Sequence, residues 1–120
     1  MAMLRVDDQA LRVELDGFDA LLTLQSSFHV PLGHVRGATT EAPSLERVYK
    51  GIPNLAATIP GVLAAGTYYT AQGRVFWDAK MGQELVRIDL EDEKFDELVL
   101  GVKNAKEVVR EIHQTIHAPD

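Results

Sequence analysis

A mainly β domain closed by a C-terminal amphipathic helix is the fold this sequence predicts, and three observations carry it. Short extended runs recur between turn residues from Met3 onward. The stretch from Gly66 to Val102 reads as three or four consecutive antiparallel strands. The segment from Asn104 to about His117 then switches to a helical period and keeps it.

Taken in order, Met3 to Val6 and Ala10 to Leu15 are two strands hinged at Asp7-Asp8-Gln9, with Leu11, Val13 and Leu15 on one face. From Asp16 the spacing changes. Phe18, Leu21, Leu22 and Gln25 recur at i, i+3 and i+4, and Asp16 with Asp19 suits a helix start, so a short helix is predicted from Gly17 to about Gln25. Phe28 to Pro31 and His34 to Thr40 return to extended structure around Leu32-Gly33, and Pro31 marks an edge or a bulge because it lacks a ladder donor. Glu41 to Pro60 holds three prolines and Gly51 without one sustained period. It is predicted as a long irregular connection and as one wall of any pocket.

After the Ile59-Pro60-Gly61 turn, Val62 to Tyr69 resumes a strand. Thr67 to Thr70 and Arg74 to Asp78 form a hairpin about Ala71-Gln72-Gly73. Val75 and Trp77 point to one side of it and Phe76 to the other, which predicts a sheet covered on both faces. Past Met81-Gly82-Gln83, the residues Val86, Ile88 and Leu90 face inward if Arg87 and Asp89 face water, with Leu85 as an exception. Glu91 to Lys94 turns the chain into a last strand, Glu97 to Val102. In the helix, Asn104 and Glu107 fit a reciprocal capping box, and Ala105, Val108, Val109, Ile112 and Ile116 form a stripe that needs the sheet as its partner.

At 120 residues and 46% hydrophobic content the chain has the material for one domain, residues 1–120, with its own core. It has no cysteine, so disulfides, thiolate zinc sites and thiol nucleophiles are excluded. MAMLRVDDQA places Asp7 and Asp8 where an export signal needs an apolar core, and a cytoplasmic location is expected. A net charge of −6 opposes both nucleic acid and anionic membranes as partners. Asp89 to Glu97 carries six acids against Lys94 alone, readable either as a patch for a cation or basic partner or as a solvated hairpin end.

VPLGHV, IPG…AAGTYY, GRVFWD, the acidic hairpin and the terminal helix together resemble the small bacterial pleckstrin-homology-like proteins. The resemblance implies a bent antiparallel β-barrel of about seven strands, plugged by the C-terminal helix, with the Gly17 to Gln25 helix as an addition. Lipid-headgroup binding in that superfamily uses basic residues after the first strand. Here the corresponding stretch is Asp16-Gly17-Phe18-Asp19, so phosphoinositide binding is a minor alternative.

No catalytic set can be assembled. Ser26, Ser27 and Ser44 lack a nucleophile-elbow context, and Gly61 and Gly66 bracket VLAA without a phosphate-binding Lys-Ser/Thr. His113 and His117 share a helix face as metal ligands do, but without the acid a metalloprotease motif places between them, and His29 and His34 have no nominated partner. No cofactor or metal is therefore expected. The expectation is a non-enzymatic scaffold for an unknown protein or peptide, with a small-ligand carrier using the Glu41 to Pro60 loop as the alternative. Its surface is drawn from Arg47, Tyr49, Tyr68, Arg74 and Trp77, although the aromatics also suit cross-strand core pairs. The uncharged run from Val62 to Tyr69 adds a weak expectation of a homodimer.

Overall fold

One carboxylate sets the first chain reversal. Asp7 Oδ1 accepts the backbone N–H groups of Gln9 and Ala10, both at 2.9 Å, and Oδ2 accepts Arg12 Nη1 at 2.8 Å. Those backbone bonds, helped by the Arg12 charge, hold the Asp7 carboxyl below its ordinary value. The turn joins β1 (Ala2–Val6) to β2 (Ala10–Leu15), paired antiparallel with Leu4 opposite Val13. β3 (Ser27–Pro31) completes a three-stranded sheet from the other side of β2, so Pro31 lies on an edge strand as its missing N–H requires. In this computed structural model the described residues are 2–15, 27–41, 52–59, 61–71 and 73–117. The expected helix from Gly17 to Gln25 lies outside them.

A single 3₁₀ turn, Leu32–His34, leads from β3 into β4 (Val35–Thr39), the edge of a second sheet. That sheet continues with β5 (Ile52–Ile59), β6 (Leu63–Thr70), β7 (Gly73–Lys80), β8 (Glu84–Leu90) and β9 (Glu97–Val102), in the spatial order β4-β8-β9-β7-β6-β5. β9 therefore lies between β8 and β7, antiparallel to the first and parallel to the second. This corrects the expectation of consecutive antiparallel strands, since β7 and β8 are adjacent in sequence and not in the sheet. The reason lies in the composition of β9. Its residues Leu98, Val99, Leu100 and Val102 are apolar on both faces and every position is buried, which a central strand covered on both sides satisfies.

Two further expectations change. Glu41 to Pro60 is not irregular throughout, because Ile52–Ile59 within it forms β5, paired with β6 through a bulge between Asn54 and Ala56. Pro53 argues against an interior strand but is tolerated here, at the edge of the sheet. Nor does the sheet close into a barrel: β4 and β5 end opposite edges, and the described strands divide into two sheets.

The main core fills the space between the two sheets and the helix. Leu11, Val13 and Val30 of the small sheet meet Phe76, Val86, Ile88, Leu98 and Leu100 of the large one. Phe76 contacts Phe28 and Phe95, with ring centroids at 4.7 and 5.4 Å. On the opposite face of the large sheet Ala64, Tyr68, Val75, Trp77, Ala79 and Val99 form a second cluster, and Leu85 packs against it. The two-sided pattern of β7 and the odd placement of Leu85 in β8 thus have one explanation: both faces of the large sheet carry apolar clusters.

Helix α1 (Ala105–Ile116) packs on β4, β8 and β1, with Ala105 and Ile112 buried and Val108, Val109 and Ile116 partly so. Its start departs from the capping-box expectation. The Asn104 carbonyl accepts the Val108 N–H at 3.0 Å, but the Asn104 side chain makes no capping bond. Glu107 bonds Arg110 one turn along instead of reaching back. Among the described residues no helix is long and apolar enough to cross a membrane.

Candidate functional site

Strand direction gives the large sheet two unlike ends. β6 finishes and β7 starts beside the loop that joins β8 to β9, so residues 70–71, 73–74 and 91–96 share one end. The β5–β6 and β7–β8 turns share the other, where the Met81 N–H donates to the Val62 carbonyl at 2.7 Å.

At the first end the acidic loop is held by the backbone. Leu90 N–H donates to Asp96 O, Glu91 N–H to His34 O and Asp96 N–H to Arg74 O, at 2.8 to 2.9 Å. Asp96 Oδ2 in turn accepts the Arg74 N–H at 2.9 Å. The carboxylate lies so close to Gly73 that a Cβ there would overlap it, and Gly73 has φ +111°. That position needs glycine on both counts. Phe95 pins the loop from inside, buried against Phe28 and Phe76.

Most of the loop's charge is committed. Glu93 Oε2 meets His34 Nδ1 at 2.5 Å, and Glu91 lies 3.8 Å from Arg36. Arg87 Nε lies 3.4 Å from both Asp89 and Glu97, which face each other across β8 and β9. Burial pushes the Glu97 carboxyl up; Arg87 opposes the shift and Asp89 adds to it. Of the two readings of the acidic run, the geometry matches neither a bare cation patch nor a wholly solvated tip.

Beside this loop lies an open depression of about 470 Å³, lined by Tyr69, Thr70, Gly73, Arg74, Glu93, Lys94 and Asp96. The Arg74 guanidinium lies over the Tyr69 ring, 5.5 Å from its centroid, and its Nη1 donates to the Lys94 carbonyl at 3.3 Å. Lys94 Nζ stands 5.4 Å from the centroid of Phe95.

The residues nominated from sequence do not form one site. Tyr68 and Trp77 come together, with centroids 6.5 Å apart in an edge contact, but both are buried in the second cluster as a cross-strand core pair. Arg74 lies one position from Val75 and so belongs to the opposite face, in the depression. Arg47 and Tyr49 lie outside the described residues. Sequence reasoning missed Lys94 and Asp96 as members of this site. Alternation marks Tyr69 as the partner of Arg74 once Tyr68 is placed inside, whereas residues 93–96 reach this spot only because β9 inserts beside β7.

His113 and His117 meet edge to face at 6.0 Å between centroids on exposed positions of α1, and His34 is the partner of Glu93. Among the described residues no group of three or more His, Asp and Glu could hold a metal ion. At the second end, Ile59, Val62 and Met81 are 54%, 42% and 68% exposed on adjoining turns, an apolar tip remote from the acidic loop. No family model, curated protein or solved structure matches the chain.

Proposed function

We propose that this protein is a non-enzymatic scaffold that binds a polypeptide partner at the β5 end of the large sheet. The observation that carries the reading is the apolar tip of Ile59, Val62 and Met81 beside β5, the edge strand of the described sheet. Strand addition supplies backbone hydrogen bonds without signature residues, and neighbouring exposed apolar side chains add the burial that such a contact needs. The pleckstrin-homology-like resemblance belongs to the same proposal. What supports it is a mainly β body with a C-terminal helix laid on the sheet; the parallel β7–β9 pairing and the open sheet depart from it.

The same proposal leaves out nucleic acid and anionic bilayers, because the net charge of −6 opposes approach to phosphate-rich surfaces. The test is native mass spectrometry of protein purified from its own source, paired with light scattering. A stoichiometric polypeptide, or a second copy, that is lost in the double variant Val62→Lys, Met81→Lys supports the scaffold. A strictly monomeric, partner-free protein, or salt-sensitive binding to phosphoinositide vesicles, overturns it.

A further inference from the structure

From the depression between Tyr69, Arg74 and Lys94 we propose that this protein has a site for a monocarboxylate carried on a flat apolar group. The site lies at the end of the sheet away from the apolar tip and does not depend on the scaffold reading.

Its chemistry follows from which charges are satisfied. The acids lining it are engaged: Glu93 with His34, and Asp96 with the Arg74 backbone N–H. Its cations meet other kinds of group. Among the described residues the Arg74 guanidinium meets a carbonyl and an aromatic ring, and Lys94 Nζ a ring. Among the described residues neither one meets a carboxylate, in a chain whose acids outnumber its Lys and Arg by 18 to 12. Buried Arg74 Nε also finds no hydrogen-bond acceptor among them.

Such an arrangement fixes two positive groups around one cavity without cancelling them. A carboxylate entering there gains charge-assisted hydrogen bonds from both. The Tyr69 ring, 41% exposed, supplies an apolar wall for the rest of the ligand. The surrounding acids set the charge of the guest. Glu91, Asp92, Glu93 and Asp96 crowd the same loop, so a phosphate dianion meets more repulsion than a single carboxylate. Selectivity for a monoanion is what distinguishes this site from a phosphate cradle.

The experiment is a ¹H–¹⁵N NMR titration of the full chain with benzoate, with methyl benzoate as the neutral control and with inorganic phosphate. Benzoate is expected to shift the Thr70, Arg74 and Lys94 amides saturably, with methyl benzoate and phosphate weaker by about tenfold or more. Added salt should weaken the benzoate response. Lys94→Gln, at a side chain whose partner among the described residues is the Phe95 ring, should lower benzoate affinity about tenfold while leaving the melting temperature unchanged. Arg74→Lys keeps the charge but removes the fork, and should also weaken binding. The inference is overturned if benzoate does not saturate, if methyl benzoate or phosphate binds as well, or if Lys94→Gln binds benzoate like the parent.

Discussion

Removing α1 should bring the protein to the edge of unfolding, and the size of the effect can be worked from its buried face. Ile112 is 1% exposed, and Val108, Val109 and Ile116 are partly buried against β4, β8 and β1. A fully buried aliphatic side chain contributes roughly 1.5 to 3 kcal/mol, and about half of that when partly buried, so the stripe contributes on the order of 4 to 7 kcal/mol. Native stability is typically only about 5 to 15 kcal/mol. A chain ending at Lys103 would also expose Val86 and Ile88, now part of the buried core under the helix. The finer probe is Ile112→Ala, expected to cost about 2 to 5 kcal/mol because it removes a fully buried aliphatic side chain and leaves a cavity in the core. Urea and thermal melts followed by circular dichroism would read both variants. For a chain of this size each kcal/mol moves the melting temperature by roughly 3 to 6 °C. An unchanged melting curve for the truncated chain would refute the placement of the helix as part of the core.

Two glycines should behave differently although both are crowded. Gly73→Ala meets Asp96 and must also hold φ +111°, so it should cost about 1 to 3 kcal/mol. Gly101→Ala has no positive φ to hold and meets the flexible Gln83 side chain, at its amide end and, less tightly, at its Cβ; displacing the amide, whose Oε1 accepts the Lys80 N–H at 2.9 Å, should cost about 1 kcal/mol, and equal losses in chemical denaturation would contradict the distinction. Glu97→Gln should raise the melting temperature at pH 7. The Glu97 carboxyl is pushed up by burial, so its contribution to stability is complete below the ordinary Glu value and is lost as pH rises through the raised one. The gain should vanish in acid, and a variant less stable than the parent at pH 7 would show that the Arg87 contact outweighs desolvation.

Local pattern was legible wherever one period dominated. Leu11, Val13 and Leu15 share a buried face, Val86, Ile88 and Leu90 point inward, and the stripe of α1 meets the sheet as its spacing requires. The order of the strands was not legible, because turn residues at 81–83 signal a reversal without saying whether the two strands touch. The clue to the order was that Leu98, Val99 and Leu100 are apolar in succession, which describes a strand covered on both sides. Pro53 hid β5 for a different reason: proline argues against an interior strand, and nothing local distinguishes an edge from an interior. The candidate site suffered from the same long-range pairing. Tyr69 and Arg74 belong to one hairpin, but Lys94 and Asp96 join them only through the parallel contact of β9 with β7.

That contact also accounts for the placing of charge. Asp89 and Glu97 face each other across β8 and β9, an arrangement that disfavours pairing when nothing lies between two carboxylates. Arg87 precedes Asp89 by two residues, so alternation puts it on the same face, and its Nε reaches both acids at 3.4 Å. One cation on the strand thus lets β9 begin with an almost wholly buried Glu97. The next acids follow the same logic, with His34 and Arg36 at the junction of the two sheets reaching Glu93 and Glu91. Groups from β8 and from the β3–β4 junction therefore meet the acids that would otherwise repel one another at the entrance of the central strand. Arg74 and Lys94 take no part in that neutralisation, and they are the two cations that line the depression.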